Sequence, residues 1–191
     1  MPQALNQTYD ELVFKAQSLF WEQGYKGVNA KELADHLDVS VSTIYNKYTK
    51  DMLFIDSIEY YMNTYSDPFL SQLRASEKGL ISLKKFFYAL IDALLDKTFP
   101  RSCLMVNTVV EMRNENEDVI KLYKRYFDAL VNSYKVVLEK AIDLKQIKHP
   151  EKKDEYAQFL LGVIFSLSIL YKISDKRSLQ NFIDERLSFI V

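Results

Sequence analysis

Glycine and proline are so scarce in this chain that they restrict its fold more than any other feature of the sequence. Only four of each occur among 191 residues. The glycines (Gly24, Gly27, Gly79 and Gly162) are too few and too scattered to supply the turns of a sheet-rich fold. Neither the dinucleotide-binding pattern G-x-G-x-x-G nor the phosphate-binding pattern G-x-x-x-x-G-K-[ST] can be written on the sequence. We therefore expect an all-α protein.

Charge and composition exclude several kinds of binding site. The 25 basic residues balance the 26 acidic ones, so the chain has no overall basic field, and binding to nucleic acid needs a local patch. The single cysteine, Cys103, excludes an intrachain disulfide. Cys103, His36 and His149 lack the spacing of zinc ligands. We expect neither a metal nor a cofactor.

The sequence shows no targeting or membrane-spanning pattern. Residues 1–9 lack the basic and apolar regions of a signal peptide. The longest mostly apolar stretch, residues 156–173, contains Gln158, Ser166 and Lys172 and falls short of a membrane span. We expect a cytoplasmic protein that does not bind a membrane.

Cap residues divide the first fifty residues into short helices. Thr8 and Glu11 form a capping box, and the helix that follows is expected to stop at Gly24. Asp38-Val39-Ser40 predicts a tight turn between a second and a third helix. The predicted N-caps are Thr8, Asn29, either Ser40 or Ser42, and Thr49.

Longer helices are predicted after residue 50, without a flexible linker before them. The change in helix length divides the chain into an N-terminal domain of short helices at residues 1–50 and a larger helical domain at residues 51–191. The later helices are predicted at residues 51–73, 80–97, 101–113, 117–146, 151–173 and 176–190, with Pro68 as a candidate kink.

The third helix has the pattern of a DNA-recognition helix. A recognition helix needs short polar side chains on the face that meets the base edges. On its other face, Ile44 can pack against the preceding helix. Residues 40–50 contain Lys47 and Lys50 but no acid. The same periodicity also fits the edge of a plain three-helix bundle.

Residues 16–53 resemble the DNA-binding segment of TetR-family transcriptional repressors. The match runs through Phe20 to Gly24-Tyr25, then Leu33-Ala34, Val39 to Tyr48, and Lys50 to Leu53. Asp38 stands where the family usually has glycine, Lys47 where histidine is common, and the segment between Tyr48 and Lys50 is one residue shorter. The resemblance implies a helix-turn-helix DNA-binding domain at residues 1–50 and a helical effector-binding and dimerisation domain at residues 51–191.

The resemblance also implies roles for individual residues. Ser42, Thr43 and Asn46 would face the bases, and asparagine can pair with adenine through two hydrogen bonds. Tyr45 is open to two interpretations, since its ring can pack in the core while its hydroxyl reaches a phosphate. The full set of expected DNA-binding residues is Lys31, Ser40, Ser42, Thr43, Tyr45, Asn46, Lys47, Tyr48 and Lys50.

The regulatory half resembles the family more loosely. Residues 101–107, with Glu111 one turn later, are similar to a G-C-L-x-x-N-x-x-x-E segment in one branch of the family. In members of that branch, this helix borders the effector cavity, and the cysteine can respond to oxidants or electrophiles. Cysteine on an apolar helix is also compatible with simple packing. We expect an apolar or aromatic effector, with Cys103, Asn107, Glu111, Tyr123, Tyr126 and Phe165 as candidate contacts.

The helix at residues 156–173 is apolar around more than half of its circumference, so one core cannot cover all of it. With the final helix it can form half of a four-helix dimer interface, as the resemblance also implies. The candidate interface residues are Phe159, Gly162, Val163, Leu167, Leu170 and Phe182.

Together these features predict a homodimeric transcriptional repressor. It would bind a palindromic double-stranded operator and be released by a small effector. The alternatives are a helical adaptor that binds only protein and a redox- or electrophile-sensing regulator acting through Cys103. No recognisable catalytic set of residues occurs, so we do not expect an enzyme.

Overall fold

A computed structural model describes residues 7–96, 103–112 and 116–191, and within them the chain is helical without any strand. The all-α prediction is confirmed. Arg101 and Ser102 of the family-like segment, and most of the N-terminal stretch, lie outside the described residues. The α-helices are α1 (Tyr9–Gly27), α2 (Ala30–Leu37), α3 (Val41–Asn46), α4 (Lys50–Tyr61), α5 (Asp67–Ala75), α6 (Leu80–Leu95), α7 (Leu104–Met112), α8 (Glu117–Asp143), α9 (Lys153–Leu170) and α10 (Lys176–Ser188).

The chain forms two compact units. The first comprises the described residues up to Tyr65 together with those of Leu104–Tyr123, and the second comprises those of Ser66–Cys103 and Lys124–Val191. The first unit therefore extends beyond the predicted DNA-binding domain of residues 1–50. It also takes α4, α7 and the first residues of α8.

The predicted caps of the first unit are confirmed. Thr8 and Glu11 form a reciprocal capping box, and the Asn29 side chain accepts from the N–H groups of Lys31 and Glu32. Ser40, rather than Ser42, caps α3 by accepting from the Thr43 N–H. Thr49 accepts from the Met52 N–H and caps α4. These local hydrogen bonds place the boundaries of α1 to α4.

Two residues with positive φ shape the first unit. Asp38 ends α2 in the left-handed conformation (φ 54°, ψ 48°), where its N–H lies within hydrogen-bonding reach of the Ala34 and Asp35 carbonyls. Gly24 (φ 77°, ψ 171°) interrupts the helical backbone inside α1, at the residue where the sequence predicts the end of the helix. The helix resumes after Gly24 and ends at Gly27.

Aromatic side chains from α1 and α4 make the core of the first unit. The rings of Phe20 and Phe54 meet edge to face with centroids 5.0 Å apart, as do those of Trp21 and Tyr61. Ile44 of α3 is buried, as are several side chains of α2. The buried face of α3 thus belongs to this core, and its other face is left for solvent.

The predicted helix at residues 51–73 is divided, and the boundary between the two units lies within it. A π-helical turn, Met62–Ser66, ends α4, and α5 then starts with Pro68 in its first turn. Met62 and Ser66 keep right-handed helical backbone angles, so the chain stays helical through the π-turn that precedes Pro68. Proline lacks an N–H and fits the first turn of a helix, which is where Pro68 lies. A 3₁₀ turn, Pro150–Lys152, likewise precedes α9, and the predicted end of α8 at residue 146 moves to Asp143.

Helix α9 corrects the predicted dimer interface. Val163 and Leu167 are 3% and 0% exposed within this chain, so they belong to the core of the second unit and not to an interface. Two other predicted interface residues, Phe159 and Gly162, are exposed. They lie on one stripe with Ile169, at i, i+3 and i+10, and Ile169, which was not predicted, is 62% exposed. The helix is apolar on both faces, and periodicity alone did not tell which face lies inside.

Candidate nucleic-acid interface

Helix α3 presents a polar face and buries an apolar one. The three-residue turn after Leu37 leads directly into α3, and Ile44 anchors its inner side at 2% exposure. Ser42, Asn46 and Lys47 are exposed. This arrangement, a short turn followed by a helix with short polar side chains outward, is that of a helix-turn-helix.

A cluster of hydroxyls lies at the start of α3. The Ser40 Oγ accepts from the Thr43 N–H at 3.1 Å and lies 2.8 Å from both the Ser42 Oγ and the Thr43 Oγ1. Since the cap fixes Ser40, it also restricts the rotamers of its two neighbours. Two predicted base-contacting side chains are therefore held in place before any DNA binds.

Tyr45 and Tyr48 differ in their surroundings. Tyr45 is 68% exposed, so the interpretation that its ring packs in the core is wrong, because the ring lies on the outer side of α3. Tyr48 is half-buried against the ring of Tyr9, with centroids 5.1 Å apart, and the Tyr9 hydroxyl donates to Asp56. The Tyr48 ring is thus supported by its contact with Tyr9, whereas the Tyr45 ring projects into solvent.

The predicted phosphate-binding lysines fall into two kinds. Lys31 and Lys47 are exposed, and the Lys47 Nζ lies 4.8 Å from the centroid of the Tyr48 ring. Lys50 is half-buried, with its Nζ 4.0 Å from the centroid of the Tyr25 ring, and burial lowers its pKa. The Tyr25 hydroxyl donates to Asp51. Lys50 therefore packs on a ring of another helix, α1, whereas the ring contact of Lys47 is with its chain neighbour Tyr48.

Three of the predicted effector contacts lie in the second unit. The Cys103 Sγ is 3.3 Å from the Tyr126 hydroxyl, and both side chains are buried. The Phe165 ring meets Phe127 edge to face at 5.2 Å, and Phe127 meets Tyr126 at 5.4 Å. These residues share one aromatic cluster, as a common site requires.

The other three lie in the first unit. Asn107 is half-buried on α7, and Tyr123 is buried, with its pKa raised by burial and by the charge of Glu111. The Glu111 carboxylate accepts from the N–H groups of Tyr25 and Lys26. Their effector-binding role stays a prediction.

Sequence reasoning did not single out Tyr134. Its side chain is fully buried in the second unit between Phe86 and Phe87, and its hydroxyl has no hydrogen-bond partner among the described residues. Burial raises its pKa well above the ordinary value. The spacing of eight residues from Tyr126, which keeps both on one helical face, was the available signal.

Two family models cover most of the chain. One, described as "Bacterial regulatory proteins, tetR family", matches residues 14–54, and another, described as "Tetracyclin repressor-like, C-terminal domain", matches residues 79–184. The chain belongs to the TetR family. It is a DNA-binding transcriptional regulator, and the resemblance of residues 16–53 is confirmed.

Individual TetR-family proteins are similar over much of the chain. The HTH-type transcriptional regulator YezE of Bacillus subtilis (strain 168) is 23% identical over 182 residues, 94% of each chain. The HTH-type transcriptional repressor ComR of Escherichia coli (strain K12) is 26% identical over 117 residues, 60% of this chain and 56% of ComR. A solved structure of the TetR-family regulator CifR with 26-bp operator DNA has a TM-score of 0.83 at 18% identity, covering 97% of this chain and 98% of CifR. The fold is therefore shared with CifR.

No helix in the described ranges is both long and apolar enough to cross a bilayer.

Proposed function

We propose that this TetR-family regulator is a homodimeric repressor that binds a palindromic operator and leaves it when a small apolar or aromatic effector binds. The observation that carries the proposal is the outward face of α3, where Ser42, Asn46 and Lys47 are exposed and no acid lies between residues 40 and 50. We place the protein in the cytoplasm, where its operator DNA is. We assign it no catalytic activity.

Base recognition is assigned to α3. An exposed asparagine on a recognition helix can accept from and donate to adenine in the major groove, and the Thr43 methyl can contact thymine. Lys47 and Lys31 neutralise phosphates on either side, and Tyr45 is exposed enough to donate to another. Direct readout by Asn46 and positioning by the lysines are separable roles.

Dimerisation is assigned to the exposed stripe of α9 together with α10. Phe159, Ile169 and, on α10's C-terminal side, Phe189 leave apolar area in water that a second copy can cover. Gly162 lies on the same stripe, and a Cβ there would meet nothing within 4 Å, so the chain itself leaves this spot open. A palindromic operator then requires the two α3 helices of the dimer to lie about 34–36 Å apart, on successive turns of the DNA.

Effector binding is assigned to the aromatic cluster of the second unit. The Cys103 thiol and the Tyr126 hydroxyl lie together in this cluster. The Tyr134 hydroxyl, which interacts electrostatically with Cys103, is a third polar group of the same unit and has no hydrogen-bond partner among the described residues. A buried tyrosine O–H without an acceptor is costly, and an effector carrying one acceptor atom would satisfy it. We therefore assign an apolar effector with a carbonyl-like or ether-like oxygen.

A direct test is DNA binding by the full chain. We expect it to shift a duplex from the region upstream of its own gene in the presence of excess non-specific competitor, since specific binding by such domains exceeds non-specific binding by about 10³-fold or more. Equal binding to unrelated duplexes, or none, would reject the repressor and favour a helical adaptor that binds only protein.

Release is tested by reciprocity. An effector frees operator DNA only if it binds the DNA-free state more tightly, so the operator must weaken effector binding by the same factor, typically about 5- to 150-fold. Isothermal titration of an effector from a screen, with and without operator duplex, measures this factor. Identical affinities in the two titrations would show that the effector does not drive release.

Sensing through Cys103 is the weaker alternative. The thiol is 7% exposed and lies against Tyr126, which favours packing or contact with a bound effector over attack on an oxidant from solvent.

A further inference from the structure

A carboxylate of α7 holds the last turn of α1, directly after Gly24. One Glu111 oxygen accepts from the Tyr25 N–H at 2.8 Å, and the other accepts from the Lys26 N–H at 2.5 Å. All three residues belong to the first unit. Two short, charge-assisted bonds from one carboxylate fix both the position and the orientation of this backbone.

The backbone is shaped to admit that carboxylate. Gly24 has φ 77°, and a Cβ built there would lie 2.6 Å from one Glu111 oxygen and 3.0 Å from the other. The glycine therefore serves two purposes, since it turns the chain out of the helical path and leaves the space that Glu111 fills. The next two N–H groups both find their acceptor in this one side chain.

The fixed segment leads to the DNA-binding residues. The Tyr25 ring lies under the Lys50 ammonium, and its hydroxyl donates to Asp51, so Tyr25 ties the end of α1 to the first turn of α4. On the other side, Asn29, the N-cap of α2, follows Lys26 by three residues. The helix-turn-helix is thus held at its entry and its exit through the segment that Glu111 binds.

We propose that Glu111 is a positioning residue for operator binding. Its carboxylate holds the helix-turn-helix in the geometry that fits DNA, and α7 thereby controls that geometry. This proposal rests on the proposed function. Leu104, the first residue of α7, directly follows Cys103, so the chain connects the predicted effector contact Cys103 to the helix that carries Glu111 without a linker. This role replaces effector contact for Glu111.

The sign of the effect separates positioning from general electrostatics. Removing an acid from the DNA-binding unit would strengthen binding to a polyanion if charge alone mattered. Loss of positioning instead weakens it. Glu111→Gln removes the charge at nearly constant shape, whereas Glu111→Asp keeps the charge and withdraws the carboxylate by one methylene.

The experiment compares these two variants with the parent and with Glu22→Gln, which removes an exposed acid from α1 of the same unit. We expect both Glu111 variants to bind operator about tenfold more weakly, with an unchanged slope of log K against log salt, because no phosphate contact is lost. Glu22→Gln should bind as tightly as the parent or slightly more so. Hydrogen exchange should show the Tyr25 and Lys26 amides protected in the parent and fast in both Glu111 variants.

Several outcomes overturn the proposal. Operator binding at parental strength in Glu111→Gln and Glu111→Asp would do so, and so would tighter binding in Glu111→Gln alone, which is the electrostatic result. Weakened binding with a collapsed thermal transition and general loss of amide protection would show a merely structural residue. A parent that fails to bind any duplex selectively, while its two amides remain protected, contradicts the proposed function instead.

Discussion

Replacing Asn46 by alanine should remove most of the preference of this regulator for its operator while leaving its affinity for unrelated DNA nearly intact. Asn46 is exposed at the end of α3, and its amide is the described group on that face best suited to pair with adenine through two hydrogen bonds. Loss of such a pair reduces discrimination by about 1–3 kcal/mol per half-site, roughly 5- to 150-fold. Fluorescence anisotropy on operator and scrambled duplexes, each across a salt series, measures the preference.

Two variants serve as controls for this result. Asn132→Ala removes the same amide from an exposed position on α8 and should change neither affinity nor preference. Lys47→Ala should weaken both duplexes alike and flatten the salt slope by about 0.9, the value for one phosphate contact. If Asn46→Ala kept the parental preference, base readout would have to be assigned to other residues of α3.

Two glutamate substitutions two residues apart, on opposite faces of α9, should have opposite consequences. Leu167 is fully buried inside the second unit. Leu167→Glu should therefore lower the free energy of unfolding by more than about 3 kcal/mol, because a carboxylate buried there loses its hydration. Ile169 is 62% exposed, so Ile169→Glu should fold normally yet place a charge in the dimer interface. We expect folded monomers that no longer bind a palindromic operator tightly. Sedimentation velocity and thermal unfolding distinguish the two results.

The matched control is Ile81→Glu, which puts the same charge on an isoleucine of α6 that is 53% exposed. It should remain a dimer with parental operator affinity. If Ile169→Glu sedimented as the parental dimer, the interface would have to lie away from the exposed stripe of α9.

The sequence was most informative where local chemistry decides the structure. Thr49 caps α4 through its own side chain, and Asp38 occupies the left-handed turn that the resemblance assigned to a glycine. Such features depend on a few consecutive residues, so they can be predicted without knowing what packs against them. The short polar residues of α3 were readable for the same reason, because Ile44 alone marks which face is inside.

The sequence was least informative where the answer depends on distant residues. Lys47 and Lys50 look equivalent in a helix-turn-helix pattern, yet only the structure shows Lys50 packed on Tyr25, a residue 25 positions earlier. The wrong interface assignment of Leu167 has a similar cause. Both stripes of α9 are apolar, and what covers each is decided by other helices.

The path of the chain through its two units bears on how such a regulator can be recombined. Because Leu104–Tyr123 belongs to the first unit, a graft that transplants residues 1–50 onto a foreign regulatory half leaves behind α7, whose Leu104, Met105 and Met112 are buried there. We therefore expect residues 1–50, grafted alone, not to carry operator binding with them. A chimera that preserves it has to carry two separate stretches of polypeptide, joined to the foreign half at three crossings, near residues 65, 103 and 123.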